Sequence, residues 1–240
     1  MQPLRMITPG SYDTVLRHWK PLAPYHKRGA FEILNRNYSE SSRAYHSWDH
    51  IAGLLQKLDL FSALASRIEI IALAIFWHDA VYATRTPAGS HRQDFANVND
   101  SAALFREYTL LPQDDADAVH ALIMATANHL HGEAGKSYYI GFAGDLDLFL
   151  DLDLSSLAAP WHEFIEDFER IRFELSWLPE ADFCSKQIQL LGTFAGSEAP
   201  LYRRGETRER WEAPARANLE RCIGGLEKKL VELSPRAATG

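Results

Sequence analysis

Residues 67–82 read Arg67-Ile-Glu-Ile-Ile-Ala-Leu-Ala-Ile-Phe-Trp-His-Asp-Ala-Val-Tyr82. Apolar side chains at 68, 70, 71, 73, 75, 76 and 77 cover nearly every side of a helix, the pattern of one buried at the centre of a bundle. A buried β-strand is the alternative. Length and the alanines at 72, 74 and 80 favour helix. His78 and Asp79 follow this run directly. A carboxylate beside a deeply buried stretch needs compensation, because desolvating a lone one costs several kcal/mol. A divalent cation between His78 and Asp79 supplies it; exposure of Asp79 at the helix end, or an arginine partner, is the plainer alternative.

Helical periodicity recurs on both sides of this segment. It predicts helices over 12–19, 30–37, 49–64, 94–108, 114–131, 161–178, 182–194 and 208–233. Pro160 suits a helix start, whereas Pro214 and Gly224–Gly225 suggest a kink or interruption in the last helix. Alternating β-branched strands with tight-turn dipeptides are nearly absent. The fold class expected is all-α: one helical-bundle domain over residues 1–240, with 234–240 a frayed tail. The fourteen glycines and eleven prolines are modest in number, fall mostly between the periodic segments and suggest no dividing linker.

Composition narrows the function. Hydrophobic residues are 46% and charged residues 24%, which excludes a mostly disordered chain. A net charge of −7 argues against a nucleic-acid partner. No apolar stretch is long enough to cross a bilayer. The opening MQPLRMITPGSY has no apolar core of a secretory signal. Two cysteines, Cys184 and Cys222, lie far apart and form no metal pair or disulfide framework, so a cytoplasmic location is expected. Ten histidines and thirty-two carboxylates make nitrogen and oxygen ligands plentiful.

Further candidates are His46 and His50 in Tyr45-His-Ser-Trp-Asp-His-Ile51, which share a helix side if both lie on one turn. Ser47 or Asp49 is a candidate helix cap there. In Asp145-Leu-Asp-Leu-Phe-Leu-Asp-Leu-Asp-Leu154 four aspartates alternate with apolar residues. A solvated acidic stripe competes strongly for Asp145 and Asp147, less so for Asp153 among its leucines. His129 closes the run Ile123–His129, where a lone histidine is more often structural.

The order His…His-Asp…Asp resembles the HD superfamily of metal-dependent phosphohydrolases, and in particular a small bacterial subgroup of predicted members. The matching stretches are Tyr45–Ile51, Trp77–Tyr82, Asn97–Ala102, Thr126–His129 and Asp151–Leu154, with later elements at Arg172-Phe173-Glu174 and Ala215–Leu219. The resemblance covers about residues 38–220. Trp77 replaces a usual Phe. Val98 stands where the family has Glu, and Asp100 is a possible substitute turned differently on a helix.

The resemblance implies His50, His78, Asp79 and Asp153 as ligands of a divalent metal, with Asp151 an alternative to Asp153. Two imidazoles and two carboxylates suit Mn²⁺, Fe²⁺, Co²⁺, Ni²⁺, Mg²⁺ or Zn²⁺ alike. Asp79 counts as catalytic, His46 as the acid that protonates the leaving oxygen. His129 is expected at a second metal or the phosphate; Arg43 and Arg172 are candidates for the phosphate, with a surface or salt-bridge role the equal alternative for both. The expected activity is hydrolysis of a small phosphate ester, a nucleotide for preference. No P-loop is present, which disfavours ATP-driven chemistry. Alternatives are a metal-containing nucleotide sensor without turnover, a helical interaction protein, and a metal-dependent oxygenase. The aromatics Trp161, Phe164, Phe168 and Trp177 belong either to a core or to a homo-oligomer interface.

Overall fold

The computed structural model describes residues 9–129 and 143–234. Among them are ten α-helices and no strand, so the all-α expectation holds. The chain packs as two compact units that meet at Asp153 and Leu154 in sequence. The expected tail after Ser234 lies outside the described residues, as do residues 130–131 of the predicted 114–131 helix. No described helix is long and apolar enough to cross a membrane.

The first unit contains α1 (Pro9–Leu22), α2 (Ala30–Tyr38), α3 (Trp48–Leu60), α4 (Ile68–Trp77), α5 (Asp94–Tyr108), α6 (Gln113–Ala125) and α7 (Ala143–Asp153). Helix α4 is its axis. Every residue from Ile70 to Trp77 is buried, and α3, α5, α6 and α7 pack around it. Its apolar residues therefore stabilise the unit by about 1.5–3 kcal/mol per large side chain.

Both ends of α4 are fixed by side chains from elsewhere. At the start, Asp145 of α7 accepts the backbone N–H groups of Ser66 (2.7 Å) and Arg67 (2.9 Å). Asp145 is 1% exposed, so it is no solvated stripe residue. At the far end the helix stops before the predicted Tyr82. The carbonyls there turn to other donors: Tyr38 OH to Phe76 O (3.0 Å), Arg43 Nη1 to Asp79 O (2.8 Å), and Asn37 Nδ2 to Ala80 O (2.9 Å).

The second unit contains a 3₁₀ turn (Leu154–Ala158), α8 (Trp161–Glu174), α9 (Glu180–Ala195) and α10 (Gly205–Leu233). Pro160 and Pro179 occupy the N-cap positions of α8 and α9, with acidic residues in the turn that follows. Helix α10 runs through Pro214 and both glycines without interruption, contrary to the break considered for it. Packing of its inner face against α9 and the 3₁₀ turn outweighs the local propensity. Phe164 is buried, whereas Trp161 and Trp177 are partly exposed.

Candidate metal centre

His50 sits on the first turn of α3, and His78 and Asp79 form the turn that ends α4. Their ligand atoms all lie within 4.8 Å of one another. Nε2 of His78 is 3.1 Å from Asp79 Oδ2, and Nε2 of His50 is 3.7 Å from the same oxygen. Asp153, the last residue of α7, brings Oδ1 to 3.4 Å from His78 Nε2 and 3.5 Å from His50 Nε2. The two imidazoles and two carboxylates expected as ligands therefore come together. Asp153 faces the histidines, and Asp151 is fully buried.

The His78 ring is 2% exposed. Its Nδ1–H donates to Ile75 O at 3.0 Å. This directs Nε2 at the carboxylates of Asp79 and Asp153. That nitrogen makes no well-aligned hydrogen bond, although both carboxylates are close. A buried histidine whose Nδ1–H is held by a carbonyl and whose Nε2 lies against two carboxylates is arranged as a metal ligand would be. The donor set of two imidazoles and two carboxylates fits a divalent cation.

Charge follows the same geometry. Burial disfavours the imidazolium of His78, but the carboxylates of Asp79 and Asp153 outweigh it and hold its pKa well above the ordinary value. Burial likewise opposes ionisation of Asp79 and Asp153. The charge on His78, with help from the other histidines, holds both well below the usual carboxylate range. The group is thus an ion cluster with two carboxylates ionised.

His46 does not share a helical turn with His50, because α3 begins only at Trp48. Ser47 holds the N-cap position, but its side chain makes no capping hydrogen bond. The two imidazoles are still neighbours, with centroids 6.4 Å apart, and His46 adds to the charge that acts on Asp79. His129 joins through Asp153: its Nε2 lies 2.8 Å from Oδ2.

The two arginines expected at a phosphate are committed elsewhere. Arg43 is buried, its Nη atoms donating to the carbonyls of Asp79 (2.8 Å) and Ala80 (3.2 Å). Arg172 belongs to the second unit. It pairs with Glu180 and donates to the carbonyls of Leu175 (2.9 Å) and Leu178 (3.3 Å).

Three further residues support the site. Asn97 and Ser101 of α5 bond both backbone groups of Ala83 and Val81, fixing the chain just beyond Asp79. Their spacing of four, which puts two polar groups on one helix side, is the signal that points to them. Asp145 is the third, and its capping partners are distant in sequence. Val98 is buried in α5, and Asp100 is ion-paired with Arg92.

Compared with family models, with curated proteins and with solved structures, the chain gives no match in any of the three. What identifies the centre is therefore its own geometry: His50, His78 and Asp79 form a group able to hold a metal ion.

Proposed function

We propose that the chain is a metal-dependent phosphohydrolase of the HD type, acting on the phosphate ester of a small molecule, a nucleotide for preference. The observation that supports this reading is the convergence of buried His78 Nε2 and His50 Nε2 on the carboxylates of Asp79 and Asp153, at nitrogen–oxygen distances of 3.1–3.7 Å. His50, His78, Asp79 and Asp153 would hold the cation. A divalent ion there supplies a Lewis acid for a phosphoryl oxygen and an acidified water for attack.

The chain's own groups have separate tasks. Asp79 and Asp153 stay ionised and supply the negative charge that would hold a cation. The Ile75 carbonyl orients the His78 ring. His46, at the edge of the group, would hold a proton on its imidazole for the departing oxygen. Two buried free thiols, Cys184 and Cys222, accord with a cytoplasmic location.

Purified protein given Mn²⁺, Co²⁺ or Ni²⁺ should bind the ion stoichiometrically. It should then hydrolyse p-nitrophenyl phosphate or bis-p-nitrophenyl phosphate, and a chelator should stop turnover. Absence of stoichiometric metal uptake would overturn the reading.

A second reading, a nucleotide sensor that keeps the metal without turnover, is favoured by one feature. Val98 places a buried apolar side chain where the resembled family has Glu, and Asp100 is exposed and ion-paired with Arg92. Thermal stabilisation by a nucleotide, with no hydrolysis under any of these ions, would select it.

A further inference from the structure

His46 lies in the turn before α3, outside the helix, so its ring needs another means of orientation. The ring stacks face to face on Tyr82, with centroids 3.7 Å apart and planes 19° from parallel. Tyr45 meets it edge-on at 4.9 Å.

Tyr82 is itself held on both sides along the chain. The Val81 N–H donates to Ser101 Oγ (2.9 Å), which donates back to the Val81 carbonyl (3.2 Å). The Ala83 N–H donates to Asn97 Oδ1 (3.1 Å), and Asn97 Nδ2 donates to the Ala83 carbonyl (3.0 Å). The backbone flanking Tyr82 is thus bonded to one face of α5, much as a strand is bonded to its neighbour. The guanidinium of Arg43 lies 5.9 Å from the Tyr82 ring centroid while it donates to the Asp79 carbonyl. One buried cation therefore touches both the metal-ligand turn and the ring on which His46 rests.

We infer that Tyr82 is a positioning residue: its ring, fixed by Asn97, Ser101 and Arg43, sets the direction in which the His46 imidazole delivers its proton. This rests on the hydrolase reading and assigns Tyr82 a task within it. The stack does the positioning, so Phe should serve as well as Tyr, and Leu should not.

The test compares Tyr82→Phe and Tyr82→Leu with the wild type, all loaded with Mn²⁺, on two monoesters. p-Nitrophenolate departs with little need of a proton, whereas phenolate from phenyl phosphate needs one. Because a positioned acid contributes roughly a hundredfold or more, Tyr82→Leu should lose roughly ten- to a hundredfold in kcat on phenyl phosphate. It should lose little on p-nitrophenyl phosphate and keep its metal content and KM. Tyr82→Phe should match the wild type. In the metal-free protein, the His46 ring protons, assigned with His46→Gln, should show a ring-current shift that Phe keeps and Leu abolishes.

The inference is overturned if Tyr82→Leu is as active as wild type on both esters. It is equally overturned if Leu loses metal or slows both esters alike, the mark of a purely structural role, or if Phe fails as badly as Leu. A wild type inert on both esters removes the hydrolase reading and the catalytic part of this inference with it. The ring-current shifts then decide separately whether Tyr82 orients His46.

Discussion

Nε2 of His129 lies 2.8 Å from Oδ2 of Asp153, while the other oxygen of that carboxylate faces His50 and His78. His129 thus orients a ligand from behind. His129→Gln should weaken cation binding by roughly ten- to a hundredfold, the usual cost of losing such a support. Titration with Mn²⁺ or Co²⁺ checks this, and unchanged affinity would remove His129 from the centre.

Asp79→Ala should remove both bound metal and turnover while the far-UV circular dichroism stays helical. The carboxylate lies at the end of α4, beyond the buried run that builds the core, so its loss leaves the packing intact. Metal analysis of the purified variant gives the answer. A full complement of metal would take Asp79 out of the ligand set.

Cation binding should release protons. In the metal-free protein the two carboxylates hold the pKa of His78 well above its ordinary value, so the ring is protonated at neutral pH. A ligand nitrogen must be unprotonated, so about one proton should leave as the ion enters, and affinity should fall as pH drops. Calorimetry in two buffers of different ionisation enthalpy measures that number. A binding heat independent of the buffer would contradict it.

His26 should make the fold sensitive to mild acid. Its Nδ1–H donates to Leu22 O (2.9 Å), its Nε2 accepts from Trp77 Nε1–H (3.0 Å), and it stacks between Trp19 and Trp77. Burial lowers its pKa from 6.5 to about 4, against a weaker opposing effect of the Leu22 carbonyl. A pKa lower in the folded than in the unfolded chain means that the unfolded chain binds more protons between those values. The stability is complete above pH 6.5 and is lost as pH falls towards 4. From pH 7.5 to pH 5 this amounts to about 2 kcal/mol. Urea unfolding of wild type and His26→Gln at both pH values should show a flatter dependence for the variant.

Arg43→Leu should destabilise the fold by about 3 kcal/mol, because buried carbonyls of the ligand turn lose a charged donor. Urea denaturation measures this directly. A variant of normal stability with a raised KM would instead restore the expected phosphate contact.

The core was readable because one feature dominates it. The run Ile68–Trp77 is apolar on all sides, and only a central helix tolerates that. Helix α5 follows the predicted bounds Asp94–Tyr108, flanked by polar turns that local periodicity detects. Helix ends fixed by distant partners were not readable. α4 stops short of Tyr82 because Tyr38, Asn37 and Arg43, all far back in sequence, claim its last carbonyls. In the site, residue types pointed to the four side chains that come together but not to the donors behind them. Nothing in the order of residues distinguishes an arginine that binds phosphate from one that holds carbonyls, as Arg43 and Arg172 do.

Helix α7 works as a gauge rod. Asp145 locks one end of it to the start of α4, and Asp153 at the other end meets His78 just past the finish of α4. The length between the two aspartates is therefore a calibrated dimension. One extra residue inserted between them would swing Asp153 by about 100° and advance it about 1.5 Å, detuning the cation site without touching any of its ligands.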